Sequence, residues 1–145
     1  IIVPANYNSP NQIVVSGEQK TIETTCQILL DNGAKKTVIL PVSGAFHSPI
    51  MESAKIKLKL AIENTYFQDS KYPVYQNVSA QPVSDKNNIK ENLISQLTSP
   101  VKWYQTIENM IHQGVSEFIE VGPKNVLTGL NRRINREVSS IKAEI

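Results

Sequence analysis

Leu40-Pro41-Val42-Ser43-Gly44-Ala45-Phe46-His47-Ser48-Pro49-Ile50-Met51 reads as an apolar strand, a glycine-containing turn, a single histidine and the start of a helix. Ser48 suits the N-cap and Pro49 the first helical position. Ile50, Ala54, Leu58 and Ile62 follow at a spacing of four, the inward stripe of an amphipathic helix. Strand, turn, histidine and helix in that order is where an α/β protein places a catalytic base. The usual partner of such a base is missing, because the 145 residues contain no G-x-S-x-G nucleophile elbow.

Working outward, residues 12–17 read as a strand ending in a turn. Residues 18–32 read as a helix with Ile22, Cys26, Leu29 and Leu30 on one face and Gly33 as its stop. Residues 35–40 return as a strand, so the first 41 residues form one β-α-β unit that needs a missing first half to complete a small sheet. Beyond the histidine, 73–78 reads as a strand, 79–88 as a polar loop and 89–97 as a helix. Ser99 and Pro100 start a further helix, with Val101, Tyr104, Ile107 and Ile111 inward and Gly114 as its end. A strand over 115–121 and a helix over 125–136, with Val126, Leu130 and Ile134 on one face, close the chain. This alternation predicts a mostly parallel sheet with helices on its faces. Ligands of such sheets bind beyond the carboxyl ends of the strands, so His47, Asn77 and Gly122 are expected to face one crevice.

Hydrophobic content of 40%, charged content of 19% and a net charge of +2 are those of a globular chain. The basic residues are scattered among acids, which argues against a nucleic-acid platform. No apolar run is long enough to span a bilayer, and no secretory leader opens the chain. The opening residues, Ile1-Ile2-Val3-Pro4, read as the middle of a longer polypeptide. Cys26 is the only cysteine, which fits a reducing, cytoplasmic setting, and its place on an apolar helix face reads as a packed thiol. The two histidines lie on separate elements without ligand spacing, so no metal site is expected.

A neutral imidazole at position 47 accepts a proton from a hydroxyl, as an activated serine requires. A turn histidine that only caps backbone has the same sequence signature. His112, in the last turn of a surface helix before Gly114, suits a structural cation at a helix C-terminus. Gly122-Pro123-Lys124-Asn125 is too short for a phosphate loop.

Four segments in series resemble the malonyl-CoA:acyl carrier protein transacylase family, in its carboxyl-terminal half. They are the run from Ala5-Asn6-Tyr7-Asn8-Ser9-Pro10 to Gly17, the run around His47 quoted above, Gln96-Leu97-Thr98-Ser99-Pro100-Val101-Lys102-Trp103, and Glu120-Val121-Gly122-Pro123-Lys124-Asn125-Val126-Leu127-Thr128-Gly129-Leu130. Their order and spacing agree from about residue 5 to residue 135. The resemblance implies an α/β fold with two parts. Residues 1–41 would be the second half of a small ferredoxin-like subdomain, and residues 42–145 part of a larger α/β-hydrolase-like parallel-sheet domain. It also implies a ping-pong transfer of malonyl from malonyl-CoA to the phosphopantetheine thiol of acyl carrier protein, through an acyl-serine, in bacterial-type fatty acid synthesis.

In that resemblance His47 matches the base and Gln96 the glutamine whose carbonyl holds the imidazole. A helix-end amide bonding its own turn is the other reading of Gln96. Phe46 matches the A-F-H signature of malonyl-selective domains, where bulk leaves less room for a branching methyl. Asn6 is a candidate substrate contact or a turn-forming amide. Lys35, Lys36, Arg132 and Arg133 are candidate docking residues for the acidic carrier, or ordinary solvated surface. The partners implied are acyl carrier protein, a coenzyme A thioester and the amino-terminal half of the same protein, without nucleic acid, membrane or a permanently bound cofactor. The family's serine, oxyanion hole and carboxylate-clamping arginine cannot be placed on these residues, so the chain alone is expected to be inactive. An acyltransferase domain of a polyketide or fatty acid megasynthase, and a non-catalytic carrier-binding fragment, are the alternatives.

Overall fold

In the computed structural model, which describes residues 1–144, strands β1 (Ile2–Ser9) and β2 (Gln12–Gly17) form an antiparallel hairpin. Pro10 and Asn11 make its turn, residue types that preset a turn backbone. Gly17 is required where it stands, since a Cβ there would collide with the Ile1 carbonyl oxygen. Register shifts interrupt the pairing between Pro4 and Asn6 and again between Tyr7 and Ser9. Pro4 has no amide to offer a ladder. The bulged strand uses its other edge instead. Ala5 carbonyl accepts from Val101 N at 2.8 Å, Tyr7 N donates to Val101 carbonyl at 2.8 Å, and Asn6 stands opposite Val101 in a parallel bridge.

Helix α1 (Gln19–Asp31) follows as expected, with Glu18 at the N-cap. Gly33 ends it at φ 96, and the Gly33 and Ala34 amides close on the Leu30 and Leu29 carbonyls. Two expectations for this region fail. The apolar face of α1 buries no residue, and Cys26 is only half-buried. Residues 35–40 form no strand among the described residues, and Val38 and Ile39 are 62% and 60% exposed. The unit is therefore β-β-α, with β1 unread from sequence, rather than β-α-β.

Ser48 and Pro49 open a 3₁₀ turn, Pro49–Met51, that leads into α2 (Glu52–Glu63). Three of the four stripe residues lie inward along α2, with Ile62 buried and Ala54 and Leu58 half-buried, whereas Ile50 falls in the preceding 3₁₀ turn and is exposed. The strand expected over 73–78 is only β3 (Val74–Tyr75), paired antiparallel with β4 (Pro82–Val83), which lies inside the expected loop. Helix α3 (Lys86–Ser95) starts earlier than its apolar residues, because Asp85 Oδ1 accepts from Asn87 N at 3.0 Å and Asn88 N at 2.9 Å. Helix α4 (Trp103–His112) starts later than Ser99 and Pro100 imply, because Val101 is drawn into pairing with β1. Gly114, at φ 91, ends it.

Strand β5 (Glu117–Glu120), helix α5 (Val126–Ile134) and strand β6 (Ser139–Lys142) make a β-α-β unit with β5 and β6 parallel. Strand β6 is polar and short, and the sequence carries no sign of it. Among the described residues the architecture is mixed α/β with three two-stranded sheets, two of them antiparallel, where a mostly parallel sheet was expected. The core is where β1, α4 and α5 meet, around Ala5, Val101, Ile107 and Leu130. A buried polar chain crosses it: Trp103 Nε1 donates to Asn131 Oδ1 at 3.1 Å, and Asn131 Nδ2 to Ser140 Oγ at 3.2 Å. Among the described residues no helix is long and apolar enough to cross a membrane.

Candidate active site

The turn that carries His47 is built around a buried hydroxyl. Ser48 has no exposed surface; its Oγ donates to the Ala45 carbonyl at 2.6 Å and accepts from Ile50 N at 3.3 Å. Tying the turn to the helix entry in this way throws the preceding residue into an unusual backbone. His47 has φ 60, the left-handed region in which non-glycine residues are uncommon.

Two consecutive carbonyls at the end of α3 hold His47 there. Its backbone N–H donates to Leu97 carbonyl at 3.1 Å, and its ring Nδ1 lies 2.9 Å from Gln96 carbonyl. A carbonyl only accepts, so Nδ1 carries a proton, and in the neutral ring the lone pair is then on Nε2. That is the tautomer a general base needs.

His47 lines a pocket of about 250 Å³ with Asn6 and Phe46. Three residues nominated from sequence thus meet in one place, although Asn6 is 40 positions from Phe46. Val14, Ser16, Leu40, Val42 and Gly44 complete the wall. Sequence reasoning missed these five, because Leu40 and Val42 were assigned to a buried strand and Val14 and Ser16 to an unremarkable one. Gly44 has a definite role: a Cβ there would sit 3.1 Å from two atoms of the Phe46 ring, so the glycine makes room for that ring. Asn77 and Gly122 do not line this pocket. Asn77 carbonyl accepts from Lys102 N at 2.9 Å, and Gly122 turns the chain after β5 at φ 155.

The four basic candidates fall in two places. Lys35 and Lys36 are exposed on the segment after α1, and no ion pair involves them among the described residues. Arg132 and Arg133 end α5 and line a separate groove of about 530 Å³ with Arg136 and β6. Arg132 donates to Ser140 carbonyl at 3.2 Å, and Arg133 to Gln12 Oε1 at 2.7 Å, which ties α5 to the hairpin turn.

Glu120 was quoted from sequence only as part of a matching segment, but it organises α5. No side chain of the N-cap residue Asn125 caps that helix. Glu120 does so from β5, with Oε1 accepting from Leu127 N at 3.1 Å and Oε2 from Thr128 N at 2.7 Å. Burial pushes its carboxyl up, but the hydrogen bonds from Thr128, Leu127 and Val126 outweigh that, and the net shift is downward.

A family model described as "Acyl transferase domain" matches residues 1–144. The malonyl CoA-acyl carrier protein transacylase of Bacillus subtilis (strain 168) is 44% identical over 137 residues, 94% of this chain and 43% of that protein. The crystal structure of an acyl carrier protein S-malonyltransferase from Vibrio cholerae superposes with a TM-score of 0.95 at 36% identity, over 99% of this chain and 47% of that one. A type II polyketide synthase acyl carrier protein in complex with its malonyl-transacylase matches with a TM-score of 0.95 at 36% identity, over 99% of this chain and 46% of that one. The chain spans less than half the length of the relatives it matches.

Proposed function

The chain belongs to the acyl transferase domain family, and from that premise we propose that it forms the base-bearing portion of a malonyl-CoA:acyl carrier protein transacylase. One observation carries the reading: His47 Nδ1 is held by Gln96 carbonyl while the ring lines a pocket beside Asn6 and Phe46. Nε2 accepts the proton of a serine hydroxyl supplied by the remaining part of the enzyme. The serine oxygen attacks the malonyl thioester, the carbon–sulfur bond breaks, and the proton on Nε2 passes to the departing coenzyme A thiol. In the second half the phosphopantetheine thiol gives its proton to Nε2, attacks the malonyl ester, and the serine oxygen recovers the proton.

In this reading Gln96 orients the base, and Phe46 and Asn6 contact the acyl group or its thioester arm. Lys35, Lys36, Arg132 and Arg133 attract the acidic carrier. The parallel strands of β5 and β6 belong to an α/β-hydrolase-like domain over 42–145. The first 41 residues belong with a ferredoxin-like subdomain, and the exposed apolar side chains of Val38, Ile39 and Val42 are surface that the rest of the enzyme covers. The enzyme is cytoplasmic and uses a thioester substrate and a thiol-bearing carrier without a permanently bound cofactor.

The test is malonyl transfer from labelled malonyl-CoA to the holo carrier protein by the complete enzyme, with and without His47→Ala. Loss of transfer with folding intact supports the reading, and near-normal transfer removes it.

A further inference from the structure

We propose that Asn92 and Gln76 are positioning residues that hold the His47 ring in its proton-accepting tautomer, a proposal that rests on His47 being the base. Four hydrogen bonds run in series from a buried amide to the ring. Gln76 is 8% exposed; its Nε2 donates to Ile89 carbonyl at 3.0 Å and its Oε1 accepts from Asn92 Nδ2 at 3.0 Å. Asn92 carbonyl accepts from Gln96 N at 2.9 Å, and Gln96 carbonyl lies 2.9 Å from His47 Nδ1.

The direction of this chain is fixed at both ends. Ile89 carbonyl can only accept, so the Gln76 amide must turn its nitrogen that way and its oxygen to Asn92. Asn92 must then donate. At the other end, Gln96 carbonyl is one of the last carbonyls of α3, which have no amide ahead of them in the helix. A helix end frays unless it is tied down, and a frayed end would offer the imidazole water in place of a fixed acceptor. Asn92 is the tie: its side chain anchors to the buried Gln76, and its own carbonyl holds the amide of Gln96. The same turn presents Leu97 carbonyl to the His47 backbone, so one anchored helix end supports both the strained φ and the ring.

The experiment uses Asn92→Ala, Asn92→Asp and Gln76→Met in the intact protein. Alanine suits a helix interior, and aspartate keeps the shape of asparagine while removing its donor. Ring ¹⁵N spectra of His47, assigned by the signals lost in His47→Gln, report which nitrogen holds the proton, and the amide spectrum reports folding. The parent should hold the proton on Nδ1. Each variant should move a measurable fraction of it to Nε2, with aspartate behaving like alanine. In the transfer assay kcat should fall about two- to tenfold, the worth of one ordinary hydrogen bond, with KM for malonyl-CoA little changed. A parent-like tautomer in folded Asn92→Ala and Gln76→Met overturns the proposal whatever the rates do, as does a parent-like aspartate variant. Persistence of transfer in His47→Ala would instead remove the reading of His47 as base, and the tautomer shift is measured independently of it.

Discussion

The ring Nδ1 of His47 meets the backbone carbonyl of Gln96 at 2.9 Å across 49 residues of chain, and the Gln96 side chain takes no part in that bond. The identity of residue 96 therefore matters less than its backbone. In the complete enzyme Gln96→Ala should retain transfer within about threefold, while His47→Ala should lower kcat by roughly 10²–10⁴, the range of a lost general base. Steady-state transfer kinetics on both variants check this, and equal losses would assign the glutamine side chain a role the contact does not give it.

Phe46 stands in the pocket wall with Gly44 packed under its ring. Phe46→Ser should open space for a branched acyl group and raise methylmalonyl use relative to malonyl by at most about 10–200-fold, since one methyl decides only about 1–3 kcal/mol. Gly44→Ala should push the ring aside and change the same ratio without altering any polar group. Competition between the two thioesters is the measurement, and an unchanged ratio in both variants would exclude this wall from acyl selection.

Glu120 holds the first turn of α5 from outside the helix. Its folded carboxyl lies below the ordinary value of 4.5, so its contribution is present above the unfolded pKa and is lost as pH falls through the folded one. Glu120→Gln should lower the melting temperature by roughly 2–5 °C at neutral pH, and the gap to the parent should close in acid. Thermal melts across pH settle it; a gap that widens in acid would contradict the assigned sign.

Under the proposed function, two basic surfaces are candidates for docking the carrier. Charge reversal at Lys35 and Lys36, or at Arg132 and Arg133, should raise the carrier-protein KM and flatten its dependence on salt at whichever surface docks the partner. Arg133 also bonds Gln12, so its variant needs a melting curve beside the kinetics. No change at either pair would remove all four from docking.

What the sequence revealed depended on where the physical cause lay. The turn at 47–49 was legible because Ser48 and Pro49 act locally, and Gly33 and Gly114 ended their helices as read. Strand β1 was missed because Pro4 breaks its pattern and its second edge is satisfied by Val101, which lies 95 positions beyond its partner Asn6. The same distant pairing moved the start of α4. Residues 35–40 were misread because a short apolar run such as Val38-Ile39-Leu40 cannot tell a side chain buried in this chain from one left open. His47 and one pocket amide were readable as residue types, while Val14, Ser16, Leu40 and Val42 became a wall only through the hairpin's approach to the turn.

The backbone at residue 47 narrows the choice of side chain before any chemistry begins. A φ of 60 favours asparagine, aspartate and histidine among non-glycine residues, and only one of these changes protonation near neutral pH. Glutamate or lysine, bases that other enzymes tune to the same task, would first have to carry the left-handed turn or rebuild it. The backbone thus narrows this position to a few side chains by shape, and redesign of residue 47 would have to begin with the Ser48 hydroxyl that ties the turn.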